Sequence, residues 1–421
     1  MKIIKMKCIF FLLAYSFFTL PYIIFGQDSI RVVDIQKFSY PFDIEDGVFV
    51  GEGAGILTKA ISNAHIVMLG NNSRNQQEAD LDLALSEFLH QNDYKTLITE
   101  YGPALGDIAD RLSDDASQTV ETFRSINQKY YFEAGGLQFM PIPDLKYVGG
   151  GQLIEYVKEN DWTIGGIGTD SWTGFKLIID EMYNNLSAAN KLVHQKEYNA
   201  SVVLLDRLYG ELKGQTYDDI KNLTVGLKAS EDFNKFLEEM NTFTVNNEIY
   251  DAIQFSIDYW WMYGNQEGYK KNKLNDQRNR VLMKEALKKS NFDFGSDKLF
   301  LKMWHGHLTK SKTRNGFYCV GGMLREMADY HGNNSLVVCV LSRYTMDDEK
   351  LIDAMDSDLH PIYEPFIAQG QQDDWVLIDL RPFTEVFYWG NYVPDLWLEK
   401  MMDRYDMILI PKTDSKAKVN N

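Results

Sequence analysis

His65-Ile66-Val67-Met68-Leu69-Gly70-Asn71-Asn72-Ser73-Arg74-Asn75 is the stretch on which the fold turns. Four apolar residues run into a glycine-led polar loop, and residues 76–90 then repeat apolar positions at helical spacing. An unbroken apolar run marks a strand buried on both faces. Strand, glycine loop and helix in that order put the loop at the carboxyl edge of an open α/β sheet, where such sheets hold their chemistry. The loop itself offers amides, a hydroxyl and a guanidinium, and none of these moves a proton at neutral pH.

The same unit recurs outward from this point. Residues 95–100 (Lys-Thr-Leu-Ile-Thr-Glu) and 163–170 (Thr-Ile-Gly-Gly-Ile-Gly-Thr-Asp) read as strands, followed by helical patterns at 104–112 and 174–186. Strand and helix in alternation predict parallel pairing. Residues 188–290 contain no proline and read as helix almost throughout. The rhythm resumes with strands at 298–304, 336–341, 375–380 and 407–411 and a helix at 321–330, while 342–374 reads as a surface excursion and 413–421 as a frayed polar tail. The expected fold class is α/β: a mostly parallel sheet flanked by helices, in one domain over 27–412, with a long helical insertion at about 188–290.

Residues 1–26 differ from the rest. Lys2, Lys5 and Lys7 precede an apolar run that closes on Pro21 and the Gly26-Gln27 exit, the pattern of a secretory signal peptide cleaved near Gly26. Export to a periplasm or the outside is expected, with no stable membrane span after cleavage. The chain of 421 residues has a formal charge of -17, and losing three lysines makes the balance more negative still, so nucleic acid and anionic membrane surfaces are poor partners and no nucleic acid is expected. A small-molecule substrate or ligand is the expected partner, and nothing sets an oligomeric state. Beyond the signal segment only Cys319 and Cys339 remain, either as a bridge or as two buried thiols.

Ionisable groups that end strand-like runs converge at one sheet edge, which selects Arg74, Glu100, Asp170, His305 and His307. Each has a plainer use: Glu100 or Asp170 as a helix cap, Arg74 as an ion-pair partner. The His305-Gly306-His307 pair suits a general base, and an H-x-H pair can also ligate a metal, but no third histidine stands near it in sequence, so no metal and no cofactor are expected. Arg314 and Arg325 flank a glycine-rich turn, Gly316 to Gly322, able to present backbone N–H groups to an anion. Tyr259, Trp260, Trp261 and Tyr263 read as packing within the insertion, with a substrate-facing wall as the alternative. Asp379 and Arg381 read as a structural pair.

The order of these segments resembles the erythromycin-esterase-like family and, more loosely, the Tiki/ChaN-type superfamily. In that family an apolar strand meets a G-E-x-x-H-G loop. A strand ending in Glu, a G-x-D segment, a long helical region and a late loop with an essential His follow. The likeness runs over about residues 60–345, through 65–75, Leu97-Ile98-Thr99-Glu100, Gly168-Thr169-Asp170, 188–290 and 300–308. It places the family's loop Glu on Asn71 and its base His on Arg74, so both proton-handling groups of the loop are absent here. Its next acid falls on Glu78, its strand-end Glu on Glu100, its late His on His307, and the first His and Asn of its H-N-x-H loop on Trp304 and His305.

The resemblance therefore implies a hydrolase of an ester, lactone or amide with a rearranged site. His307, Glu100 and Glu78 would be catalytic and Arg74, Asn71, Asp170 and His305 would contact the substrate. Arginine offers only donors and stays protonated, so it cannot serve as the base. The resemblance equally implies a non-catalytic ligand-binding relative, or a ChaN-type envelope protein handling haem or iron through His305 or His307.

Overall fold

The structure, a computed structural model, describes residues 35–71, 75–112, 119–142, 148–313, 316–347, 350–357, 361–383 and 396–415. The expected signal peptide, Arg74 and Arg314 lie outside the described residues. In chain order the strands are β1 (Ser39–Glu45), β2 (Val48–Val50), β3 (Ile66–Gly70), β4 (Thr96–Thr99), β5 (Phe132–Ala134), β6 (Leu137–Phe139) and β7 (Thr163–Gly166). They continue as β8 (Leu299–Met303), β9 (Ser335–Val340), β10 (Tyr344–Asp347), β11 (Lys350–Asp353), β12 (Trp375–Asp379), β13 (Met407–Ile410) and β14 (Asp414–Ser415).

Nine of these strands form one sheet in the order β2-β1-β12-β13-β9-β3-β8-β4-β7. From β13 to β7 every pairing is parallel, and β12, β1 and β2 add an antiparallel edge. The α/β class expected from the sequence holds. All five residues of β3 are buried because both faces of the sheet are covered. Val67 and Leu69 pack with Leu81, Leu85 and Leu89 of the helix Gln76–His90, whereas Ile66 and Met68 pack with Leu324 and Ala328 of the helix Val320–Tyr330. Burying each such side chain is worth roughly 1.5–3 kcal/mol. The helix after β3 and the helix after β8 thus cover opposite faces of adjacent strands. That is the topological switch point of an open α/β sheet, and it opens a crevice beyond their carboxyl ends.

The insertion is helical as expected, over Ala188–Gly210, Tyr217–Ala229, Glu231–Met240, Asn247–Gly264 and Gly268–Lys289. Its starts are written locally: the Ser187 and Ser230 side chains cap their helices, and Thr216 with Asp219 makes a reciprocal capping box. The helix Gln76–His90 has no such local cap at Asn75. Its Gln77 N–H donates instead to Asp414 Oδ1 at 2.9 Å.

That contact corrects the reading of the tail, whose first part is structural: Asp414 is wholly buried and β14 pairs with β10. The excursion at 342–374 is likewise partly ordered, with a β10–β11 hairpin and the short helix Glu364–Ile367, which buries Phe366 and Ile367. β7 ends at Gly166, so Asp170 lies in the loop beyond it rather than at the strand end. Cys319 and Cys339 are buried free thiols. Asp379 and Arg381 form a two-point ion pair, with both contacts at 2.8 Å. Among the described residues no helix is long and apolar enough to cross a membrane.

Candidate functional site

The crevice lies where β3 and β8 end. The Asn71 N–H donates to the Met303 carbonyl at 3.2 Å, holding the two strand ends together one residue past the ladder. The short 3-10 turn His305–His307 then folds back over β3. Only glycine permits that closure at position 70, because a Cβ there would stand 2.6 Å from His305 Cα.

His307 is held at both ring nitrogens. Nδ1 lies 2.9 Å from Asp276 Oδ1, and Nε2 lies 3.6 Å from Glu100 Oε1. A carboxylate only accepts, so the short contact puts a proton on Nδ1 and leaves Nε2 facing Glu100. The second oxygen of Glu100 accepts the Trp304 N–H at 2.6 Å. The side chains are 13% (His307), 4% (Asp276) and 38% (Glu100) exposed, so the constellation is walled on the Asp276 side and open on the Glu100 side. Burial is the largest influence on His307 and lowers its affinity for a proton. The Asp276 hydrogen bond and the charges of Glu100 and Asp276 outweigh it, holding His307 above the ordinary imidazole range.

One wall comes from the insertion. Tyr259 is half-buried, and burial together with the charges of Glu100 and Asp276 raises its hydroxyl above the usual phenol range. Lys271 Nζ lies 4.5 Å from the Tyr263 ring centroid and 5.3 Å from that of Tyr259. Burial lowers the Lys271 ammonium below its ordinary value. Trp304 is exposed, with its indole centroid 4.9 Å from His305 and 5.5 Å from His307. The aromatic run at 259–263 thus brings Tyr259 near enough to Glu100 and Asp276 for their charges to act on it.

The other residues singled out by sequence are placed as follows. Asn71 is buried, and its amide donates to Asp82 Oδ1 at 2.7 Å, while Lys302 Nζ reaches Asp82 Oδ2 at 3.3 Å. Glu78 is buried with Ser342 Oγ 3.4 Å from its Oε1, beyond β9 and so across β3 from His307. Asp170 is wholly buried and accepts the Leu105 N–H at 2.8 Å, a capping contact at the start of the helix Pro103–Leu112. Burial raises its carboxyl to about 6, against the pull of the Leu105 and Ala104 N–H groups and Arg278. His305 Nδ1 meets the Tyr405 hydroxyl at 3.1 Å, and burial, with the charges of His307 and Arg404, lowers His305 to about 4, so it is neutral at pH 7. Arg325 pairs with Asp329 on its own exposed helix face, apart from the crevice. The structure thus joins Glu100 to His307, sets Glu78 across β3 from them, and uses Asn71 and Asp170 in internal hydrogen bonds.

Asp276, the partner of His307, is missing from the sequence reading. Nothing in the sequence marked it: only the structure shows that Asn275, Asp276 and Asn279 are all buried on one helix face, where apolar residues are the rule. Among the described residues no group of three or more His, Cys, Asp or Glu is arranged to hold a metal ion.

No protein-family model and no curated protein matches the chain. Solved structures do match it. A succinoglycan biosynthesis protein aligns with a TM-score of 0.54 at 14% identity, over 92% of this chain and 97% of that one. A Bacillus cereus protein aligns at 0.52 and 12%, over 93% and 99%. A mutant of the erythromycin esterase EreC in its open conformation aligns at 0.51 and 10%, over 91% and 99%. The chain has the fold of an erythromycin esterase, as its segment order implies, at an identity that speaks for the fold alone.

Proposed function

We propose that the protein is an exported hydrolase of an ester, lactone or amide in which His307 moves the proton. The observation that carries this reading is the Asp276–His307–Glu100 constellation at the switch-point crevice. Asp276 fixes the Nδ1–H tautomer, so in the neutral ring Nε2, on the Glu100 side, carries the lone pair. It takes a proton from water as the water oxygen bonds to the carbonyl carbon. The imidazolium so formed is stabilised by Asp276 and Glu100, and it returns the proton to the leaving oxygen or nitrogen as that bond breaks. This route does without the base that the loop after β3 lacks. Export rests on the basic and apolar segment of residues 1–26.

A binding protein without turnover is the second reading, favoured by Asn71, whose amide is committed to Asp82 rather than to a ligand. Purified protein assayed on ester, lactone and amide panels separates the two. Hydrolysis of at least one class is expected, with kcat/KM falling roughly 10²- to 10⁴-fold in His307→Ala while the fold is kept. Absence of turnover, or equal turnover by the variant, overturns the hydrolase reading.

A further inference from the structure

Among the described residues, Lys271 is a charge beside this constellation that the proton-transfer scheme leaves unused. Among the described residues no carboxylate lies within ion-pair distance of its Nζ, which instead sits against the ring faces of Tyr259 and Tyr263. The neighbouring acids are committed elsewhere: Asp276 to His307, Glu100 to His307 and the Trp304 N–H, and Glu267, one turn before Lys271, to Lys270 at 3.1 Å. Ring faces compensate a cation only in part, so a half-buried ammonium without a carboxylate gains by meeting an anion. Lys271 lies on the same helix, Gly268–Lys289, as Asp276, which holds His307 at 2.9 Å, and its charge opposes the protonation of His307. The chain as a whole is acidic, with a formal charge of -17, so any preference for an anionic ligand must be made locally.

We propose that Lys271, framed by Tyr259 and Tyr263, is an anion-binding subsite beside His307, and that the substrate is an ester, lactone or amide bearing a carboxylate. This rests on the hydrolase reading for the word substrate; the subsite itself does not. The rings on either side would contact the apolar chain or ring that joins the carboxylate to the scissile carbonyl. Lys271 binds and orients; the proton transfers remain with His307.

Two nearly isosteric esters test this, 4-nitrophenyl hemisuccinate and 4-nitrophenyl butyrate, which differ in a terminal carboxylate against a methyl. The wild type favours the hemisuccinate in kcat/KM. Lys271→Gln collapses that ratio by about tenfold, the scale of one charge-assisted hydrogen bond, and does so chiefly through KM. Lys271→Arg restores most of it. Binding of 4-nitrosuccinanilic acid, followed by calorimetry, is read in parallel and needs no turnover. If neither ester is cleaved but the wild type binds this anilide and Lys271→Gln does not, the hydrolase reading fails and the subsite stands. A ratio unchanged in Lys271→Gln, or equal anilide binding by wild type and a folded Lys271→Gln, overturns the subsite whether or not hydrolysis occurs. So does failure of the wild type to bind it at all.

Discussion

The ends of β3 and β8 lie side by side on one edge of one sheet and are used in opposite ways. Just past β3, the Asn71 amide meets the Asp82 carboxylate of the helix Gln76–His90 at 2.7 Å, and the Lys302 ammonium of β8 reaches the same carboxylate at 3.3 Å, a buried network in which donor and acceptor answer one another. Beyond β8, His307 has one nitrogen fixed at 2.9 Å and the other facing Glu100 at 3.6 Å, longer than a hydrogen bond. Both clusters are polar and largely buried, so burial does not tell them apart. Saturation does: a network with every group satisfied stiffens the fold, and one with an open lone pair beside a carboxylate is poised to move a proton.

Asp276→Asn is the sharpest way to break the contrast. The amide can donate as well as accept, so it no longer enforces the Nδ1–H tautomer, and it has no charge to stabilise an imidazolium; kcat/KM is expected to fall roughly 10²- to 10⁴-fold. Loss of the Asp276 charge and its hydrogen bond also lowers the His307 pKa, because both raise it in the native protein. The imidazole titration followed by NMR therefore moves to lower pH, and so does the rising limb of any residual rate. An unmoved titration would separate Asp276 from the site.

Asp82→Ala attacks the saturated side. Lys302 would be left buried without its partner, and breaking a buried pair typically costs about 3–5 kcal/mol. The thermal midpoint should fall by several degrees, by roughly 2–4 °C for each kcal/mol in a large domain. A midpoint unchanged by the substitution would mean that the network is not what holds the β3 loop.

The effect confined to one end of the pH range is expected at Asp414, which accepts the Gln77 N–H. Burial, opposed by the Gln77 and Ser415 N–H groups and assisted by Glu78 and Asp80, raises its carboxyl to about 7. The native state therefore holds a proton that the unfolded state releases near 4, so this group's stabilisation is present at low pH and is lost as pH rises through 7. Asp414→Asn removes that dependence. The variant should be the more stable of the two at pH 8, the difference vanishing near pH 4, as read by midpoints across the range. Parallel pH curves for the two proteins would disprove it.

Legibility followed the same physical divide. β3, β8, β9, β12 and β13 coincide with largely apolar runs, because a strand covered on both faces must be largely apolar along its length, while β4 and the edge strand β7 were marked by shorter apolar cores. The edge strands β1 and β2 were not read: most of their residues are half-exposed, and no such run marks them. The antiparallel setting of β12 is likewise invisible in Trp375–Asp379, which is buried at every residue as a parallel strand would be. Glu100 and His307 were legible as ionisable groups just beyond strands. Asp276 was not, because it sits mid-helix among Lys and Asn residues that look solvated in sequence. Asp414 was read as tail because nothing local shows that the helix Gln76–His90, far from it in sequence, lacks its own cap.

By itself the sequence determined the buried strands of the parallel core and most of the helices, the edge at which their loops gather, and the absence of a proton carrier from the β3 loop. These follow from periodicity and residue type, which act over a few residues. Only the tertiary structure decided that Asp276, 31 residues from His307, completes that histidine, and that Glu100 reaches across 204 residues to the Trp304 N–H. Such partners depend on how separate elements pack, and no local pattern encodes that.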